Sequence, residues 1–205
     1  MKLTRRTLFG AGLSLVAGTA SAADGPLARI AAARALMRTL RGPFTQTRVI
    51  SLLATHVRSR GMLTLVRPDR LRWDIAPPDD VTFWVGPEGL TYRGPHGIAR
   101  IPSSRTSSLN TLEDLQTLLG GDLEQLLVRW RVDVVRDDAA GVQLEATAKE
   151  DAGTSIRRVR LTLARDLVRP TNVIVFEGER DQSIIDFGPL ALDAPVADAE
   201  MRAPA

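Results

Sequence analysis

The stretch Arg67-Pro68-Asp69-Arg70-Leu71-Arg72-Trp73-Asp74-Ile75 decides how this chain folds. From Arg70 the residues alternate strictly. Leu71, Trp73 and Ile75 fall on one side; Arg70, Arg72 and Asp74 fall on the other. A period of two is the mark of a strand with one buried face. Arg67-Pro68-Asp69 ahead of it and Pro77-Pro78-Asp79-Asp80 behind it are turn sequences. Arg60–Val66 predicts the preceding strand, with Leu63 and Leu65 sharing a face. Val81–Val85, Gly89–Arg93 and Gly97–Ile101 predict the following ones, the last two around Gly94-Pro95-His96-Gly97. Short links between alternating runs make an antiparallel meander from Phe44 to Ile101.

Helical spacing brackets the meander. Leu27, Ile30, Ala33, Met37 and Leu40 recur at three or four residues, so Pro26–Leu40 predicts an amphipathic helix. Asp24 is placed to cap it and Gly42-Pro43 to stop it. Ser103–Asn110 reads as a loop. Leu112, Leu115, Leu118 and Leu119 then form an apolar stripe, opened by the capping-box pattern Thr111-Leu112-Glu113-Asp114. Gly120-Gly121 breaks that helix, and Asp122 is placed to cap a second through Leu123, Leu126 and Leu127. Trp130, Val132 and Val134 alternate again, followed by strands at Gly141–Ala148, Ile156–Ala164, Thr171–Phe176 and Gln182–Phe187. The tail from Ala191, rich in Ala, Pro and Asp, predicts loose structure. The order is helix, about five strands, a helical insert at about 111–128, and about five strands. This is an α+β, mainly β chain. An antiparallel sheet buries one face. The helices carry stripes able to cover it, which leaves an apolar cavity if they fit loosely.

Residues 1–22 read as an export signal. Lys2, Arg5 and Arg6 precede the apolar run Leu8–Ala17, and Ala20-Ser21-Ala22 forms an A-x-A cleavage site. The apolar run is shorter than the ~20 residues a spanning helix needs. Thr4-Arg5-Arg6-Thr7-Leu8-Phe9 also resembles a twin-arginine signal, although paired basic residues occur in ordinary export signals too. The chain has 27 Lys and Arg against 24 Asp and Glu. Removing the three basic residues of the signal leaves the remainder formally neutral. Scattered arginines and few aromatics argue against a nucleic-acid partner. The chain has no cysteine, which excludes disulfides, thiolate zinc sites and a lipid-anchoring cysteine. The expectation is one periplasmic domain over residues 23–205, monomeric and without stable membrane insertion.

No catalytic constellation emerges. His56 and His96 are 40 residues apart and lack metal-ligand spacing. The serines of Ser103–Ser108 have the composition of a loop. Asp79-Asp80 and Asp137-Asp138 fall at predicted turns, where Asp is common for local reasons. No catalytic residue, metal ligand or cofactor is therefore assigned. Arg67 is the one charged residue of special interest. It shares the parity of Leu63 and Leu65, so it points toward the apolar face, where it needs a partner. The unpaired carbonyls of a covering helix's last turn would serve; a turn toward water before Pro68 is the alternative.

Phe44-Thr45-Gln46, Gly61, Arg67-Pro68 through Trp73, and Pro77-Pro78 together resemble the outer-membrane lipoprotein carrier family, LolA and its relatives. Arg169-Pro170 and Ile185-Asp186-Phe187 agree more loosely. The resemblance implies an unclosed antiparallel β-barrel with an α-helical lid over a cavity for acyl chains. It implies a carrier that catalyses nothing, receives acylated lipoprotein or lipid cargo from an inner-membrane releasing complex, and passes it to an outer-membrane acceptor. The arginine of the family's R-P motif, which bonds the lid, maps onto Arg67. Candidate cavity residues are Phe44, Leu63, Leu65, Leu71, Trp73, Phe83, Leu115 and Leu119. Departures at Leu53–His56, Arg58-Ser59-Arg60, Ser103–Ser108 and the tail suggest a divergent paralogue. An acyl- or lipoprotein-recognising sensor, or an accessory subunit of an envelope lipid or glycolipid pathway, is the alternative to a shuttle.

Overall fold

A computed structural model describes residues 25–51, 55–102, 110–120, 123–150, 154, 156–177 and 180–204. The expected export signal, the Asp24 and Asp122 caps, Leu53, Gly121 and the serines of Ser103–Ser108 lie outside the described residues. So do the side chains of the Thr111–Glu113 capping box.

Helix α1 (Pro26–Ala35) leads into strands β1 (Thr39–Ile50), β2 (Thr55–Val66), β3 (Arg70–Ile75), β4 (Val81–Gly86), β5 (Gly89–Gly94) and β6 (Gly97–Pro102). Helices α2 (Asn110–Gly120) and α3 (Leu123–Arg129) follow, and then strands β7 (Trp130–Asp138), β8 (Gly141–Ala148), β9 (Ile156–Leu163), β10 (Pro170–Glu177), β11 (Asp181–Phe187) and β12 (Ala191–Leu192). Eleven strands make one antiparallel sheet in the order β6-β5-β4-β3-β2-β1-β11-β10-β9-β8-β7, and β12 pairs with β1. The sheet is not closed. Its two edges, β6 and β7, are joined in sequence by the segment carrying α2 and α3. β7 carries a register shift between Val134 and Arg136 and the charges Arg131, Asp133, Arg136 and Asp137. Bulges and charges of this kind discourage an exposed edge from pairing with another chain.

The alternation read from Leu71, Trp73 and Ile75 sets the inner face. Leu63, Leu65, Leu71, Val85, Leu144, Val159, Leu161 and Val173 join it in one buried core with Ile30, Leu118, Leu119 and Leu126 of the helices. The outer face carries charges in pairs, such as Arg160 with Glu145 at 2.8 Å, and Arg158 lies over the Phe176 ring.

Two expectations fail. The first helix stops at Ala35, not at Leu40. Met37 and Leu40 are buried as the helical spacing demands, but Leu36 between them is 83 % exposed and Leu40 already belongs to β1. The apolar spacing runs on across a turn into a strand, so periodicity alone could not find the boundary. Gly42-Pro43, expected to stop that helix, lies inside β1. There the strand changes partner, from β12 at Leu40 and Arg41 to β11 at Phe44. A residue without an N–H is tolerated in that gap.

The tail is the second. It is built into the fold. After β12, Asp193 accepts hydrogen bonds from the backbone N–H groups of Arg38 and Thr39. A 3-10 turn at Asp198–Met201 then lies on the outer face. The Glu200 carbonyl accepts from Arg72 Nη1 and Trp84 Nε1, and its carboxylate pairs with Arg41 at 2.9 Å. The backbone bonds hold the Asp193 carboxyl below the usual aspartate range. That stabilisation is complete above the ordinary aspartate value and is lost only as pH falls through the lowered one. Hydrogen-exchange protection of the tail amides should therefore be undiminished at about pH 5. It should fall at neutral pH in Asp193→Ala.

Candidate functional site

Pro26 occupies the first turn of α1, where its missing N–H costs nothing. Four residues apart, Ile30 and Arg34 are the buried residues of this helix. At its C-terminal end the Arg34 carbonyl accepts two hydrogen bonds, from Met37 N at 3.1 Å and from Arg67 Nη1 at 2.6 Å. Arg67 N in turn donates to Arg38 O. The Arg67 guanidinium thus meets a carbonyl in the last turn of a helix. That helix is α1. The end of α2 sits alongside, for a Cβ added at Gly120 would come within 2.9 Å of both Met37 and Leu65 side-chain atoms.

The Arg34 side chain was not singled out by sequence. It falls between the apolar positions Ala33 and Met37 of the amphipathic helix expected over Pro26–Leu40. Yet it is 1 % exposed, and among the described residues none of its three guanidinium nitrogens has a hydrogen-bond partner. Burial, and then the nearby Arg67 charge, push its pKa down to about 10. It remains protonated at neutral pH, so the folded protein carries a buried positive charge that has no partner among the described residues.

Between the inner face of the sheet and α2 lies a cavity of about 610 Å³. Its apolar lining comes from Trp73, Ile75, Val81 and Phe83 on one side, Val175 and Ile185 on the other, and Leu115 of α2. Of the eight candidate residues, Trp73, Phe83 and Leu115 line this space. Leu63, Leu65, Leu71 and Leu119 are buried in the adjoining core. Phe44 lies beside them with its ring 4.0 Å from that of Trp73. Alternation identified the right face but could not say which depth along each strand is filled and which is open. Cavity residues on Gln46, Arg48, Ser59 and Ser183 were missed because they are polar.

A larger depression, about 740 Å³, opens on the outer face around Met62, Asp74, Thr82, Arg93 and Asp186. Several of its polar groups are paired within the protein. Asp74 accepts from Arg72 and Thr82, and Asp186 accepts from Asn172. The inner cavity, mostly apolar and bordered by Leu115 of α2, is the candidate site. Among the described residues no three His, Cys, Asp or Glu side chains gather as a metal site, and no helix is long and apolar enough to cross a membrane.

The Phe44–Pro78 resemblance implies an unclosed antiparallel sheet, and the sheet here is unclosed. The model of the family described as outer membrane lipoprotein carrier protein LolA matches residues 35–202. The chain belongs to the LolA family. No curated protein sequence matches it. Among solved structures it is similar to a LolA superfamily protein from Nitrosomonas europaea, at 11 % identity and TM-score 0.52, covering 87 % of this chain and 96 % of that one. A DUF1329 family protein from Desulfovibrio piger is similar at 11 % identity and TM-score 0.53, covering 86 % and 95 %. An uncharacterised conserved protein from Thermus thermophilus reaches TM-score 0.54 at 7 % identity, covering 87 % and 92 %. At such identities these likenesses speak for the fold, an unclosed antiparallel sheet with helices over its inner face. This LolA-family chain is divergent.

Proposed function

We propose that the protein is a periplasmic carrier that takes acyl chains of lipoproteins or other envelope lipids into its inner cavity and moves them toward the outer membrane, without catalysis. The observation that carries this reading is the apolar cavity of about 610 Å³ bordered by α2, beside a helix that Arg67 holds by a carbonyl of its last turn. Burial of acyl surface is worth roughly 25 cal/mol per Å². The closed lid already covers part of that surface, so loading gains only a difference. Cargo can therefore be handed from an inner-membrane releasing complex to an outer-membrane acceptor without ATP. A ligand shifts the lid only by its differential affinity for open and closed states.

Arg67 sets that balance. A hydrogen bond from a charged donor contributes about 1.5–3 kcal/mol. Arg67→Leu removes it while Met37 N still satisfies the Arg34 carbonyl, and it also relieves the repulsion between Arg67 and buried Arg34. The variant should fold normally and release bound acyl cargo about tenfold faster, tenfold being about 1.4 kcal/mol. Stopped-flow displacement of a fluorescent fatty acid, with hydrogen exchange across α1 and α2, checks this. Release and exchange equal to wild type would remove Arg67 from the latch role.

A further inference from the structure

The inner face is not uniformly apolar. Down β1 the inward residues are Phe44, Gln46 and Arg48, and they pass from buried through half-buried to exposed. Strand register fixes their neighbours. Gln46 lies opposite Ser59 of β2, and Arg48 lies opposite Val57 of β2 and Ser183 of β11. Gln46, Arg48, Ser59 and Ser183 all line the cavity. None makes a side-chain hydrogen bond or ion pair among the described residues. Ser183 is only 3 % exposed, so bulk water reaches it poorly.

A short row of unpartnered donors in an apolar cavity is how a small-molecule site fixes the orientation of its ligand. The row also has a direction. Arg48 stands at the open end, beside Val57, which is 43 % exposed. Trp73 and Leu115 stand at the deep end. The cavity thus grades from apolar depth, through uncharged donors, to a free cation at the mouth.

We propose that this row is a head-group subsite: the cavity takes a single amphiphile whose anionic group, a phosphate or a carboxylate, sits on Arg48. The uncharged donors engage its polar linker, and its tail runs inward past Trp73. The size agrees, since roughly 300–1,000 Å³ holds one small-molecule ligand. Four other titratable groups line the cavity: Glu177, Asp79, His96 and Tyr92. Glu177 is two strands from Arg48 and one row further out, beyond Val175. Asp79 lies in the turn between β3 and β4, and His96 in the turn between β5 and β6. The acidic groups therefore stand on the walls. They confine an anion to the β1 floor and exclude one from the rest of the mouth.

This inference rests on the carrier reading and extends it. The test is calorimetric titration of the full chain with three probes of equal acyl length, each below its micelle concentration: a lysophosphatidylglycerol, a fatty acid and an uncharged monoacylglycerol. Wild type should bind the lysophospholipid about tenfold more tightly than the monoacylglycerol, a difference of about 1.4 kcal/mol. Arg48→Ala should erase that preference, and Arg48→Lys should keep part of it. A fatty acid bound as tightly as the lysophospholipid assigns the subsite to any anion; one bound like the monoacylglycerol assigns it to phosphate. Equal binding of charged and uncharged probes by wild type overturns the subsite and leaves the carrier standing. A preference that survives in folded Arg48→Ala also overturns it. Binding of none of the probes overturns the carrier reading and the subsite together.

Discussion

Alanine at Gly61 is expected to destabilise the protein by about 3 kcal/mol, the upper end of the usual cost of overpacking, and valine to prevent folding. Gly61 pairs with Phe44 on β1 and Ile75 on β3. A Cβ there would lie 1.9 Å from the Asp74 carbonyl oxygen and 2.5 Å from the Phe44 ring. Backbone cannot yield as a flexible side-chain end can, so the strand or the ring must move. Phe44 rests against Trp73, and Trp73 meets Phe187 edge-on. Displacing the ring therefore disturbs an aromatic group that spans β1, β3 and β11. Urea denaturation should show a lower midpoint, and near-ultraviolet circular dichroism should show the loss of ordered aromatic packing. A stability equal to wild type would mean that the sheet has room at this position which its geometry denies.

Arg34→Met should have the opposite sign. An unpaired buried charge commonly costs several kcal/mol. The fall of the Arg34 pKa to about 10 corresponds to a cost on the order of 3 kcal/mol at about 1.4 kcal/mol per tenfold. Methionine fills the same space without a charge, so the variant should melt several degrees higher. It should also load cargo more slowly. If α1 swings out on opening, Arg34 regains water, and part of the cost of opening is offset by that hydration. The residue then acts in both directions: its carbonyl receives the Arg67 latch while its guanidinium opposes closure. Raised stability with unchanged loading would separate the two effects and leave Arg34 outside lid motion. Lowered stability would show that the guanidinium has a partner in the folded protein.

Much of this architecture was legible in the residues themselves. Alternation at Arg70–Ile75 and at Trp130, Val132 and Val134 located strands, because a period of two has no other cheap explanation. The stripe of Leu115, Leu118 and Leu119 located α2. Local pattern failed where the deciding contact is distant. Ala- and Pro-rich composition made the tail look loose, yet Arg72, Trp84 and Arg41 hold it from more than a hundred residues away. Arg34 was not singled out because nothing nearby in sequence reveals what covers it. Gln46, Arg48, Ser59 and Ser183 are unremarkable polar residues until strand register brings Ser183 beside Arg48. In the candidate site, the apolar half was readable and the polar half was not.

The pairing of β1 with β11 has a consequence for how the chain reaches this state. Every other link in the main sheet joins strands that are neighbours in sequence, apart from the edges that never meet. A chain leaving the ribosome can therefore build β1–β6 and β7–β11 as two independent meanders. They become one sheet only when Phe44–Val49 finds Gln182–Phe187, a closure between the two ends of the molecule. Pairings of such high contact order are slow. A truncated chain ending before Asp181 would hold two half-sheets with their apolar inner faces open, unable to complete either the cavity or its cover until the final residues arrive.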